Sequence, residues 1–243
     1  MAGKIEKLIF CMYQTVGKTF LTPMLFLEWK RNLFFKEINE RVIEFGFACN
    51  WLSKLCPAEV LDVGSGISSW PHLMRNSGFH VTAIDKMEGY WKGDFFNRHY
   101  YVINDDIIQP KMKQQFDFIT CISVLEHIPE HDEAMKGMFS LLKPGGHLLL
   151  TFPFNVNHYV ENAYNLPNSS YGKKETYICQ IYSQKEVDRW LKENNGTIID
   201  QEYYQIFAGD LWTEGKRIYP PRKVSKQEKH HLTCILIKKS IGD

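Results

Sequence analysis

The residues most able to do chemistry gather in one short run. Glu59-Val60-Leu61-Asp62-Val63-Gly64-Ser65-Gly66 carries an apolar segment straight into a Gly-x-Gly turn with an aspartate just ahead of it. Glycines there let the backbone bend sharply and admit a ligand without a Cβ in the way, while backbone N–H groups point at it. Gly-x-Gly alone is weak evidence, and its neighbours narrow the ligand. A dinucleotide site presents the start of its helix to a pyrophosphate, which an adjacent carboxylate repels, whereas a cation tolerates Asp62. The third glycine of the dinucleotide fingerprint is also missing, its place held by Ser68 or Ser69. Asp85 ends the next apolar run, 19 residues after Gly66, where a carboxylate accepts from both ribose hydroxyls. Together these residues describe a nucleoside ligand without phosphates.

Such a ligand site needs strands that end side by side. Short β-branched runs at 59–63, 80–84, 100–104, 116–122 and 147–152 predict strands. Residues 69–77 and 130–142 predict helices, the second closed by Lys143-Pro144-Gly145-Gly146. Strands that are almost continuously apolar and alternate with helices predict a parallel sheet covered on both faces. Upstream, Ile38, Val42, Ile43, Phe47, Trp51 and Leu52 share one face of a helix over 31–55 that Cys56-Pro57 ends. Downstream, a helix over 183–193 and strands at 197–204 and 232–238, joined by a loop with Pro220-Pro221, predict an antiparallel pair closing one sheet edge. Residues 153–181 are rich in Asn, Tyr and Ser without a clean period, a length that a compact domain keeps only for a purpose. The expected organisation is an N-terminal helical extension over 1–57 and one domain over 58–243 with an insertion at 153–181.

Composition agrees with a folded α/β chain. Its 243 residues, 44% hydrophobic and 23% charged, exclude a disordered segment or a stapled miniprotein. Lys and Arg number 29 against 28 for Asp and Glu, so no global field recruits polyanions and nucleic acid is not an expected partner. The six cysteines show neither C-x-x-C nor metal-ligand spacing, which points to reduced thiols in the cytoplasm and to no metal site. The apolar segment from Ile5 to Leu27 is broken by Lys18 into runs shorter than the ~20 residues of a membrane span. Ile5, Leu8, Ile9, Met12 and Val16 follow helical spacing, which suits a helix packed on the core or, as the sharper reading, one lying on a membrane surface.

With these motifs in order, the chain resembles the class I S-adenosylmethionine-dependent methyltransferases over roughly residues 58–240. Asp62-Val63-Gly64-Ser65-Gly66 matches the first motif of that family and Ala83-Ile84-Asp85 its ribose-binding acid. Asn104-Asp105-Asp106-Ile107 matches the third, Phe116 to Ile119 with Ser123-Val124-Leu125-Glu126-His127-Ile128-Pro129 the fourth, and Leu142-Lys143-Pro144-Gly145-Gly146 the hairpin before strand five. The resemblance implies a three-layer, doubly wound α/β fold with a mostly parallel seven-stranded sheet, order 3-2-1-4-5-7-6, one strand antiparallel. It also implies S-adenosylmethionine as cofactor, held by Asp62, Gly64, Ser65, Gly66, Asp85, Lys86, Asp106, Ile107 and Ser123. Asp106 is chosen over Asp105 for the adenine amino group because the apolar Ile107 follows it, placed to press on the ring. Two departures stand out. Ser68 replaces a common glycine, and the helix expected between Asp85 and Tyr100 is compromised by Gly89 and Gly93 and crowded with Tyr90, Trp91, Phe95 and Phe96.

Methyl transfer needs the acceptor aligned and, for a hydroxyl, a base. His127 is the first candidate and His158 the second, the competing role for His127 being support of the loop after strand four. Asn155, Asn157, Tyr159, Asn162, Tyr164, Tyr171 and Tyr177 suit a sugar or glycan acceptor, although an ordinary solvated loop has the same composition. The lack of an Asn/Asp-Pro-Pro-Tyr/Phe run after strand four argues against methylation of base amino groups. Basic residues in 214–239 suit an anionic or lipid-linked acceptor, but such a run is more often a solvated face. The expectation is O-methylation of a sugar or glycan-type acceptor, with a quinone, lipid-like or natural-product acceptor as runner-up. A non-catalytic binding subunit is the alternative from another class.

Overall fold

The computed structural model describes residues 39–66, 68–88 and 100–241, with isolated helical positions between 8 and 23. The aromatic-rich stretch 89–99, residues 31–38 and most of the apolar N-terminal segment lie outside the described residues. Two compact units divide the chain, Met1–Asn39 and Glu40–Asp243. In the first, Leu8, Ile9, Met12 and Val16 are helical and exposed. Among the described residues no helix is long and apolar enough to cross a membrane.

The second unit begins with helix α1 (Arg41–Leu55) and strand β1 (Glu59–Val63). Next come helix α2 (Trp70–Asn76) and strands β2 (His80–Asp85), β3 (Ile103–Asn104) and β4 (Phe116–Ile122). After a 3-10 turn at Leu125–His127 follow helix α3 (His131–Leu141) and strand β5 (Leu142–Pro153). Helix α4 (Gln184–Asn194) and strands β6 (Gly196–Phe207), β7 (Arg217–Val224) and β8 (Leu232–Lys239) complete the unit. Helix α1 packs within this second unit, Glu40–Asp243.

The sheet order is β3-β2-β1-β4-β5-β8-β6-β7. Strands β1 to β5 pair in parallel, and β8 runs antiparallel to both β5 and β6. This is the expected order with one strand added. The addition is β7, in the stretch where Pro220-Pro221 predicts a loop. Proline cannot donate to a ladder, and only an edge strand whose N–H side faces away tolerates it. At the other edge, β3 is confined to Ile103–Asn104 instead of running from residue 100.

Alternation along the strands explains the layers. In β5, Leu148, Leu150 and Phe152 enter one apolar cluster while Leu149 enters another. In β8, Ile235 and Ile237 separate in the same way from Leu232, Cys234 and Leu236. Successive strand side chains point to opposite faces, so strands apolar at every position need cover on both. Helices α3 and α4 supply it on one face through Met135, Met138, Val187 and Trp190. On the other face α1 and α2 contribute Phe47, Ala48, Leu52, Trp70 and Met74. The start of α4 is set locally by a capping box: the Ser183 side chain accepts from the backbone, and Glu186 Oε2 accepts from Ser183 N–H at 2.9 Å.

Candidate active site

The turn after β1 holds Gly64 at φ +75° and Gly66 at φ +51°, the left-handed region that glycine enters without strain. Gly64 N–H donates to Ile84 O at 2.9 Å, tying the turn to the end of β2. Gly66 N–H donates to Asp85 Oδ2 at 2.6 Å, so the carboxylate at the end of β2 lies against the glycine turn. Burial raises the Asp85 carboxyl, while the Gly66 and Lys86 amides pull it down.

Asp62 is buried at the end of β1. Its Oδ2 accepts from Ser65 Oγ at 2.7 Å and its Oδ1 from Thr120 Oγ1 at 2.7 Å. Burial pushes this carboxyl up to about 7 against the pull of both hydroxyls. A cation brought beside it favours the ionised form. Beyond β3, the two neighbouring acids differ. Asp105 accepts from the amides of Asp106, Lys111 and Met112, and against the push of burial these donors hold it below its ordinary value. Asp106 stays part-exposed, its Oδ2 3.0 Å from Lys86 Nζ and its Oδ1 accepting from Ile108 N–H. Ile107 is turned into the core.

The turn after β4 adjoins the glycine turn, because a Cβ built on Gly64 meets Val124 Cγ1 at 2.3 Å. His127 in this turn is largely buried, and its Nδ1 lies 2.6 Å from the carbonyl of Ile178. A carbonyl only accepts, so Nδ1 carries the proton and the lone pair of the neutral ring is on Nε2. Burial lowers His127 below the usual imidazole range, the Ile178 carbonyl opposing it. Tyr177 stands edge-on to the ring at 4.8 Å. His158 is exposed on the loop Asn155–His158, where its N–H donates to Asn155 Oδ1 at 3.1 Å.

Segment 178–182, at the end of the insertion, stitches the turn in place. Tyr182 Oη donates to Leu125 O at 2.7 Å, Gln180 N–H to Glu126 O at 2.9 Å and Gln180 Nε2 to Ile128 O at 2.8 Å. The opposite side is closed by α1. Glu44, fully buried, accepts from Ser123 Oγ at 2.5 Å, Thr151 Oγ1 at 2.7 Å and Arg41 Nη1 at 2.8 Å. The Ser123 hydroxyl is therefore engaged by α1. Sequence reading missed Arg41, Glu44, Gln180 and Tyr182 as site residues. One signal was present: Glu44 lies three and four residues before the core residues Phe47 and Ala48, which puts a charge on a buried face.

The basic run near the C-terminus is matched by neighbours. Arg217 pairs with Glu40, Arg222 with Glu228, Lys223 with Glu202 and Lys229 with Asp210. An additional hollow of about 450 Å³ lies in the insertion, lined by Val160, Glu161, Asn162, Asn165, Leu166 and Ile178.

A family model described as a methyltransferase domain matches residues 35–201. The ubiquinone biosynthesis O-methyltransferase of Pseudomonas fluorescens is 30% identical over 112 residues, 42% of this chain and 48% of that protein. That of Marinobacter nauticus is 31% identical over 106 residues, 40% and 44% of the two chains. The chain spans about half the length of the curated relatives it matches. Among solved structures, an S-adenosylmethionine-dependent methyltransferase from Clostridium acetobutylicum superimposes with TM-score 0.56 at 14% identity, covering 90% of this chain and 99% of that one. Magnesium protoporphyrin IX methyltransferase from Synechocystis, with bound S-adenosylmethionine, gives TM-score 0.52 at 14% identity over 93% and 96%. At such identities the structural likeness speaks for the fold.

Proposed function

Because the chain belongs to the methyltransferase domain family, we propose that it moves a methyl group from S-adenosylmethionine to a hydroxyl oxygen of a small molecule, with His127 as the base. The contact between Gly64 and Val124 carries this reading, since it joins the cofactor turn to the turn that bears His127. The site fits the cofactor: a turn that only glycine fills, a buried carboxyl beside it and a second acid at the end of β2. When bound, the sulfonium supplies an electrophilic methyl. Asp85 receives the ribose hydroxyls, Asp106 the adenine amino group, and Asp62 balances positive charge in a buried place. Lys86 orients Asp106 through their 3.0 Å contact.

The acceptor follows from base strength. An imidazole below its ordinary ~6.5 is a weak base; a phenol near 10 lies within its reach, whereas an alkyl hydroxyl is close to water at about 16. We therefore favour a phenolic or enolic hydroxyl over the sugar expected from the Asn and Tyr content of the insertion. The names of the curated relatives, O-methyltransferases of ubiquinone biosynthesis, support that direction.

Calorimetry with S-adenosylmethionine is expected to give a binding curve that Asp85→Ala weakens by about 100-fold, the worth of one or two charged hydrogen bonds. Absence of heat, or a Kd unmoved by Asp85→Ala, would sink the cofactor site. Turnover of cofactor labelled in the methyl group is then measured on parallel panels of simple phenols and monosaccharides. Label is expected in phenols, and label confined to sugars reverses the choice of acceptor. His127→Ala is expected to cut that turnover by roughly 100-fold or more at unchanged cofactor affinity, and full activity removes the base assignment.

A further inference from the structure

Glu126 is 3% exposed at the centre of the turn after β4, and its Oε1 lies 3.9 Å from His127 Nε2. Its other oxygen, Oε2, is buried with no hydrogen-bond partner among the described residues. Other buried acids of this protein are treated differently. Glu44 accepts from three donors, Asp62 from two hydroxyls, Asp105 from three amides, and Glu186 from the Ser183 amide and hydroxyl. A buried carboxyl with an orphaned oxygen is costly, and a fold keeps one where it has work in catalysis or binding. The clamp from Gln180, Tyr182 and Ile178 prevents the turn from swinging Glu126 out to water.

We propose that Glu126 is the proton partner of His127, a positioning residue whose carboxylate balances the imidazolium formed when the acceptor hydroxyl gives up its proton. This rests on the methyl-transfer reading above. The balance is simple. An electron pair of the acceptor oxygen forms the new C–O bond as the S–CH₃ bond breaks and the sulfonium becomes a neutral thioether. The hydroxyl proton passes to His127 Nε2, is shared with Glu126 Oε1, and leaves to solvent after the products.

Groups from every side face this carboxyl. From α1 and the residue that caps it, Arg41 attracts its charge while Glu44 and Glu40 repel it; Cys121 of β4, Cys179 of the insertion and Tyr182 just after it feel the same charge. Burial, the largest influence, pushes Glu126 up to about 8, its own amide and Arg41 opposing. Below that pH the pair already holds a proton on Glu126, and a second one on His127 is unfavourable. Above it, the ionised carboxylate awaits the imidazolium. Methyl transfer is therefore expected to rise with pH through about 8.

Nuclear magnetic resonance of the full chain tests this without any acceptor. The ¹³C-labelled carboxyl of Glu126 should titrate near 8 rather than near 4.5, and the ¹⁵N shifts of His127 should follow the same inflection. Glu126→Gln should erase that inflection from His127. On an accepted phenol, it should lower kcat at least 10-fold and flatten the alkaline rise while KM for S-adenosylmethionine stays put. His127 nitrogens blind to the Glu126 titration, or a Glu126→Gln variant with unchanged kcat and pH profile, overturns the proposal. If Glu126→Gln fails to fold, the response of the wild-type His127 nitrogens to the Glu126 titration decides alone. The titrations need no methyl transfer, so a protein that ignores S-adenosylmethionine overturns the proposed function and leaves this result to be read separately.

Discussion

Glu44→Ala is expected to destabilise the protein by about 3 kcal/mol, lowering Tm by roughly 10 °C. The carboxylate is fully buried and accepts from Ser123, Thr151 and Arg41. Removing it leaves two hydroxyls without their acceptor and takes the nearest carboxylate from the guanidinium that faces the Ile122 carbonyl. Arg41 keeps some access to water, which limits the loss. Glu44→Gln retains an acceptor oxygen for both hydroxyls and gives up only the ion pair, so about 1 kcal/mol is expected. Thermal unfolding of both variants ranks them, and equal losses would show that the charge alone matters. Because Ser123 sits at φ +47° between β4 and the His127 turn, Glu44→Ala should also reduce turnover in whatever fraction remains folded.

Gly64→Ala is expected to cost about 2–4 kcal/mol and to abolish measurable cofactor binding, as read by denaturant unfolding and calorimetry. Two separate effects add. At φ +75° an alanine is strained by about 1–2 kcal/mol in any surroundings. Its Cβ also falls 2.3 Å from Val124 Cγ1 and 2.9 Å from Val124 Cβ, and a stiff β-branched side chain cannot step aside. Relief requires the turns after β1 and β4 to separate, which spoils the arrangement proposed for methyl transfer. Gly64→Ala combined with Val124→Gly removes the steric part, Cβ included, and leaves the strain. If that double variant recovers neither stability nor binding, the clash is not what matters.

Which parts of this site were readable beforehand follows from the range of the interactions. The Gly64 turn, the acids at the ends of β1 and β2 and the helix that starts near Ser183 are encoded within a few residues. So is the alternation that buries both faces of β5 and β8, and such patterns survive in any compact arrangement. The strand β7 was hidden because Pro220-Pro221 speaks against a strand locally, and only its place at the sheet edge makes the prolines harmless. Glu44 read as one charge on a helix, because the hydroxyls that receive it lie 79 and 107 residues away.

His127 and Glu126 show the same division. Adjacent in the chain, they name a base and an acid, and nothing in Leu-Glu-His-Ile-Pro says which nitrogen carries the proton or whether the acid meets water. The carbonyl of Ile178, 51 residues on, sets the tautomer, and α1 together with the insertion excludes solvent from the carboxyl. By itself the sequence determined the glycine turn, the strand and helix periods and the identity of the titratable groups, since backbone geometry and side-chain period are local. Only the tertiary structure decided which of the described acids are satisfied, which among them keeps an orphaned oxygen and which His127 nitrogen carries the proton. Desolvation and hydrogen bonding depend on groups that meet when distant segments pack together.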